Sequence, residues 1–249
     1  MKLSEKHIDA LVKLYNLSSN KPKSSPDHSL LGQVDCSESL EDYSPERRKC
    51  FRSGLGTLMY LSQERIDCQF AIKSLSSWLS SPTVTAEKCL VHLILYLKGT
   101  KNMSLLFSYE KTGNTVVRKL NGMREEYETN DRHIFELFTD SDCAGNAPTR
   151  STILCLNSII VHSHSRTQKS IALSSCEAEL LALTGGLSET LLIKTIRDFM
   201  VSSVSRTIVR TDSSSARQWL QRKEQRAELV GTLICLAVFG LAIAGLKIT

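Results

Sequence analysis

Ile134-Phe135-Glu136-Leu137-Phe138-Thr139-Asp140-Ser141-Asp142-Cys143-Ala144-Gly145 is the stretch on which the fold turns. It begins as a short apolar run with two aromatic residues, the pattern of a buried strand. It ends in two acids and a turn of small residues. A core strand that finishes in carboxylates puts charge at the edge of a sheet, and a lone Thr-Asp there reads as a solvated exit into a loop. Its company says more. Cys176-Glu177-Ala178-Glu179-Leu180 opens a helix with acids, and Ile208-Val209-Arg210-Thr211-Asp212-Ser213 ends a second strand in another. Acids at two strand ends and one helix start make a cluster suited to divalent cations, which as hard ions prefer carboxylate oxygen. Three clustered acids raise at least one pKa unless a cation is bound, so such a site is expected to depend on metal.

Around that strand the pattern stays α/β. Residues 152–161 are rich in β-formers with a polar break at Asn157-Ser158, which fits one long bent strand or a hairpin. Residues 162–170, polar and basic, read as the next strand, exposed on one side. Ser174 or Ser175 can cap a helix in which Leu180, Leu183, Leu187 and Leu191 recur every three or four positions. Gly185-Gly186 inside it costs about 1 kcal/mol per glycine against alanine, and the sequence names no compensation. Residues 206–211 form another strand and 213–220 a short helix.

The first half is helical. Ile8, Leu11, Val12 and Tyr15 share a face behind a Ser4 cap, and a polar loop of about residues 18–46 follows. Phe51, Leu55, Leu58, Met59 and Leu61 fit one helix, with Gly54 and Gly56 expected to allow close backbone approach. Phe70, Ile72, Leu75, Trp78 and Leu79 fit a second. Residues 85–98 fit a third, closed by Gly99 as the residue after the last turn. Residues 103–109 look like a strand. Residues 113–132 are a charge-rich connector that holds the domain boundary.

Residues 229–246 contain no charge, and their 18 positions sit at the lower limit for crossing a ~30 Å hydrocarbon layer. A transmembrane helix and a buried core helix both fit. The chain has 249 residues, 41% hydrophobic and 23% charged, which excludes global disorder; its net charge of +5 permits a nucleic-acid partner without demanding one. Eight cysteines are scattered with no Cys-x-x-Cys spacing, so reduced thiols and an intracellular location, cytoplasm or nucleus, are expected, with a membrane open through the apolar segment.

Several runs together resemble the C-terminal part of the Pol polyprotein of copia-type LTR retrotransposons, where the reverse transcriptase closes and ribonuclease H begins. Phe51-Arg52-Ser53-Gly54-Leu55-Gly56-Thr57-Leu58-Met59-Tyr60 is similar to that family's Tyr-Arg-Ser-x-Val-Gly-Ser-Leu-Met-Tyr. Arg65-Ile66-Asp67 stands where the family has Arg-Pro-Asp, and Tyr96-Leu97-Lys98-Gly99-Thr100 matches its Tyr-Leu-Lys-Gly-Thr. Thr139-Asp140-Ser141-Asp142-Cys143-Ala144-Gly145 resembles Ser-Asp-Ala-Asp-Trp-Ala-Gly. Arg150-Ser151-Thr152 and the run from Ser165-Arg166-Thr167-Gln168-Lys169 to Glu177-Ala178-Glu179 follow in order. The resemblance covers about residues 4–223.

It implies an α/β chain in four parts: a helical connection region at the end of the reverse transcriptase (1–112), a linker (113–132), an incomplete RNase H-like mixed sheet with flanking helices (133–223), and an unrelated tail with an apolar helix (224–249, helix 229–246). Asp140, Glu179 and Asp212 fall on the family's catalytic, metal-holding acids, with Asp142 and Glu177 as lower-ranked alternates. The implied cofactor is two Mg²⁺ ions, or Mn²⁺. Asp140 would be shared between the ions, with Glu179 on the water side and Asp212 completing the set. The implied substrate is the RNA strand of an RNA–DNA hybrid, with Arg166 and Lys169 toward its phosphates.

Departures from the pattern matter as much. No Tyr-x-Asp-Asp is present, so DNA synthesis is not expected. After Gln221-Arg222-Lys223 the family continues to a His-x-Asp/Glu segment with a fourth acid, and residues 224–249 do not. Cys143 replaces a tryptophan, and Leu154-Cys155 a Gly-aromatic pair. A non-catalytic fragment that at most binds nucleic acid is the competing expectation.

Overall fold

The computed structural model describes residues 5–31, 44–103, 115–120, 123–128, 134–142, 148–201, 205–224 and 246–248. The chain divides into two compact units, Met1–Leu106 and Phe107–Thr249.

The first unit is helical: α1 (Glu5–Leu14), α2 (Pro45–Leu61), a 3₁₀ turn (Ile66–Cys68) leading into α3 (Gln69–Ser76), and α4 (Val84–Gly99). Two starts follow from capping chemistry. The Ser44 side chain accepts a hydrogen bond from Arg47 N with Pro45 in the first turn, and Thr83 accepts one from Ala86 N. Ile8, Leu11, Phe51, Leu55, Leu75, Leu90 and Leu93 are buried in one core. The glycines divide unlike the expectation. A Cβ at Gly54 would lie 2.7 Å from Tyr15 Oη, so that glycine does admit a neighbour, whereas Gly56 faces open space. Gly99 stays within α4, where its missing side chain makes room for Pro22.

Two of the runs quoted above meet here. Arg65, buried, donates from Nε and Nη2 to the Asp67 carboxylate (2.9 and 2.6 Å) and from Nη2 to Thr100 Oγ1 (2.7 Å); Tyr96 Oη donates to Asp67 (2.7 Å). Arg65-Ile66-Asp67 and Tyr96-Leu97-Lys98-Gly99-Thr100 are thus two sides of one hydrogen-bonded network that ties the 3₁₀ turn to the end of α4.

The second unit is α/β. Within the stretch read as a connector, β1 (Thr115–Leu120) and β2 (Met123–Glu128) pair antiparallel as a separate ribbon. The main sheet holds β3 (Ile134–Asp142), β4 (Thr149–Leu156), β5 (Ile159–Thr167), β6 (Arg206–Arg210) and β7 (Leu246–Ile248) in the order β5-β4-β3-β6-β7. It is mixed, since β4 runs antiparallel to β3 while β6 runs parallel to it. The break at Asn157-Ser158 is a hairpin turn: both residues have positive φ, 48° and 71°, as a two-residue turn between twisted strands demands.

Two helices complete the unit, α5 (Ser175–Val201) and α6 (Ser214–Glu224). α5 packs on β3 and β4, and α6 packs on α5. Of the expected leucine stripe, Leu183 enters the core with Phe135, Leu137, Leu154 and Val209, and Leu187 packs against it. The fully buried line along α5 is Ala178, Ala182, Gly186 and Thr190, spaced every four residues. A Cβ at Gly186 would lie 3.0–3.2 Å from Thr139, Leu137 and Thr152 side chains, so this glycine sets how closely the helix lies on the sheet. Gly185 leaves space for the Arg150 guanidinium. These contacts supply the reason for Gly185-Gly186 that the sequence alone does not.

The apolar segment 229–245 lies outside the described residues, as do residues 104–109 and Ser4. Leu246, assigned above to the apolar helix, instead begins β7. Among the described residues no helix is long and apolar enough to cross a membrane.

Candidate metal centre

Register brings the first two acids level. β3 and β6 are parallel with Phe138 opposite Arg210, so two residues further along, Asp140 near the end of β3 and Asp212 just past β6 emerge on the same side. One crosslink beneath them fixes that register: Arg210 donates from Nε and Nη2 to Glu136 Oε1 (3.2 and 3.1 Å), a buried pair between the two strands. The third acid comes from the first turns of α5. Ser174 Oγ accepts from Glu177 N (3.1 Å), and the Glu177 carboxylate accepts from Leu173 N (2.7 Å). This reciprocal cap consumes Glu177 and leaves Glu179 to face the sheet.

Asp140, Glu179 and Asp212 each offer a carboxylate oxygen within 4.8 Å of the others. Asp140 and Asp212 are exposed and Glu179 is buried. Glu179 Oε1 accepts from Ser141 N (3.2 Å) and Ser141 Oγ (2.7 Å), while Glu179 Oε2 is buried without a hydrogen-bond partner. Burial pushes the Glu179 pKa upward; the Ser141 hydrogen bonds oppose it, and the charges of Asp140 and Asp212 add to it. A buried oxygen lacking a donor, beside two more carboxylates, is a donor set that a hard divalent cation satisfies, so the residues present fit Mg²⁺ or Mn²⁺.

The two basic candidates fare differently. Arg166 Nη1 is 3.0 Å from Glu189 Oε1, so its charge is already paired within the protein. Lys169 is exposed on the loop after β5. Asp142 is exposed at the end of β3, and Glu177 is held in the helix cap. Cys143 lies outside the described residues.

No protein-family model matches the chain. It is 25% identical over 219 residues to the retrovirus-related Pol polyprotein from transposon TNT 1-94 of Nicotiana tabacum, an alignment covering 85% of this chain and 15% of that protein. It is 27% identical over 143 residues to the retrovirus-related Pol polyprotein from transposon RE1 of Arabidopsis thaliana, covering 56% and 8%. Secreted RxLR effector protein 161 of Plasmopara viticola is 29% identical over 144 residues, 56% of this chain and 87% of that one. A solved foamy viral protease-reverse transcriptase dRH in complex with ds DNA overlays with a TM-score of 0.46 at 12% identity, covering 100% of this chain and 35% of that one. The chain thus spans 15% and 8% of the lengths of its two plant-transposon relatives. By these similarities, the chain is a relative of the retrovirus-related Pol polyproteins of plant transposons.

Proposed function

We propose that the second unit is an RNase H-like domain that hydrolyses the RNA strand of RNA–DNA hybrids. One observation carries the reading: carboxylates from two strand ends and a helix start converge within 4.8 Å, and the buried one has an oxygen without a partner. Asp140, Glu179 and Asp212 would hold the cations. Bound there, a pair of Mg²⁺ or Mn²⁺ ions supplies an activated water and neutralises charge on the leaving 3′ oxygen. The protein's own part is positioning. Exposed Asp140 and Asp212 would meet a phosphodiester from solvent, while the two Ser141 hydrogen bonds hold Glu179 in place beforehand. Lys169, exposed after β5, would meet the hybrid's backbone, and Arg166 would join it only by leaving Glu189.

The test is Mg²⁺-dependent cleavage of a labelled RNA–DNA hybrid. Asp140→Asn is expected to abolish cleavage while hybrid binding persists in Ca²⁺. Undiminished cleavage in that variant removes the metal role. A second reading, a non-catalytic protein that binds nucleic acid, draws on Ser141, whose hydroxyl already occupies one oxygen of Glu179. Hybrid binding by the wild-type protein without cleavage in either Mg²⁺ or Mn²⁺ selects it.

A further inference from the structure

About 15 Å further along α5 than Glu179, at ten residues of 1.5 Å rise, a second set of ligand-type side chains converges. His162 and His164 lie two residues apart on β5, and Glu189 reaches them from α5. His162 Nε2 and His164 Nδ1 each lie 3.0 Å from the same oxygen, Glu189 Oε2. All three offer a ligand atom within 4.8 Å of the others.

His164 is 7% exposed, and neither of its ring nitrogens has a hydrogen-bond partner, although Nδ1 sits at ion-pair distance from the carboxylate. Two imidazole nitrogens crowding one carboxylate oxygen, one of them in no hydrogen-bonding orientation, is an arrangement that positive charge among the three atoms relieves. The other carboxylate oxygen, Glu189 Oε1, accepts from Arg166 Nη1 (3.0 Å). A ligating carboxylate is held in this way by an outer partner that fixes which oxygen faces inward.

The geometry points to a second cation site, built by His162, His164 and Glu189 for a borderline transition-metal ion of the zinc class, which pins the edge strand β5 onto α5. Donor chemistry separates it from the acid cluster: two nitrogens and one oxygen select zinc-like ions, whereas three carboxylates select Mg²⁺. Tetrahedral zinc with bonds of about 2.0–2.1 Å holds neighbouring ligand atoms about 3.3 Å apart. The two His–Glu189 separations of 3.0 Å therefore need to lengthen by only a few tenths of an ångström to admit it. His162 and Glu189 are 31% and 24% exposed, so the fourth coordination position opens to water. The site does not depend on the nuclease reading, because none of its residues belongs to the acid cluster.

The experiment titrates zinc alone into the reduced full-length chain, by calorimetry, with excess Mg²⁺ present. One equivalent is expected to bind. His162→Gln and Glu189→Gln should each weaken it more than tenfold, whereas Asp140→Asn leaves it unchanged. Cobalt in place of zinc should give a tetrahedral spectrum without a thiolate charge-transfer band. His162 is partly exposed, so its replacement leaves the core intact, and unchanged circular dichroism of the metal-free variant checks this. Wild-type zinc affinity in His162→Gln overturns the site, as does loss of binding in Asp140→Asn or a thiolate band from a cysteine.

Discussion

Glu179 is a carboxyl group kept at a cost. Burial raises its pKa, and the neighbouring Asp140 and Asp212 charges raise it further against the pull of Ser141. A folded-state pKa above the unfolded one means the metal-free protein gains stability as pH falls through the folded value, and loses it as pH rises. Divalent cations compete with the same proton, so their affinity should climb over that interval. We therefore expect Glu179→Gln to raise the melting temperature by a few degrees at pH 7 in EDTA, and to abolish the stabilisation that Mn²⁺ gives the wild type. Equal melting temperatures with and without the substitution would mean the site stores no such strain. At this scale the sequence is informative about acids and nearly silent about what holds them. Asp140, Glu179 and Asp212 are legible because strand ends and helix starts are local signals. The crosslink between Glu136 and Arg210 is not, since both residues sit in apolar runs and only pairing across strands joins them. His162 and His164 are legible as two residues on one strand face, but Glu189 becomes their neighbour only through helix packing.

At the scale of elements, α5 shows where pattern reading stops. Its leucines advertise an amphipathic helix, and Leu183 does enter the core, yet the line in closest contact with the sheet is the small-residue one through Gly186. Periodicity counts hydrophobic side chains and cannot count missing ones. Gly186→Val places branched bulk against Leu137, Thr139 and Thr152 on strands hydrogen-bonded within the sheet, and should destabilise by about 1–3 kcal/mol. Gly56→Ala, in open space on α2, should stabilise by about 0.5–1 kcal/mol through helix propensity alone. Urea midpoints of the two variants are expected to move in opposite directions; shifts of the same sign would contradict the packing account. The hairpin at Asn157-Ser158 gave two options in the sequence, and the positive φ of both residues decides between them.

For the whole molecule, two units with separate cores predict two unfolding transitions. Asp67 reports on the first. Burial would raise its pKa, but hydrogen bonds from Arg65 and Tyr96 outweigh burial and hold it below the usual carboxylate range. Its contribution is complete above the unfolded value of about 3.9 and is lost as pH falls through the lower folded value. Asp67→Asn should cost about 3 kcal/mol at neutral pH by stranding buried Arg65, and calorimetry should show it lowering one transition only, with Gly186→Val lowering the other. A single transition shifted by both would merge the units into one cooperative body. The parallel pairing of β3 with β6 carries a last consequence. Asp140 and Asp212 become level only when residues 134–138 have found residues 206–210, so the carboxylate trio cannot assemble on a nascent chain whose distal strand is still unsynthesised. On the proposed function, Mn²⁺ uptake is therefore expected only after that long-range closure is made, silent through early collapse.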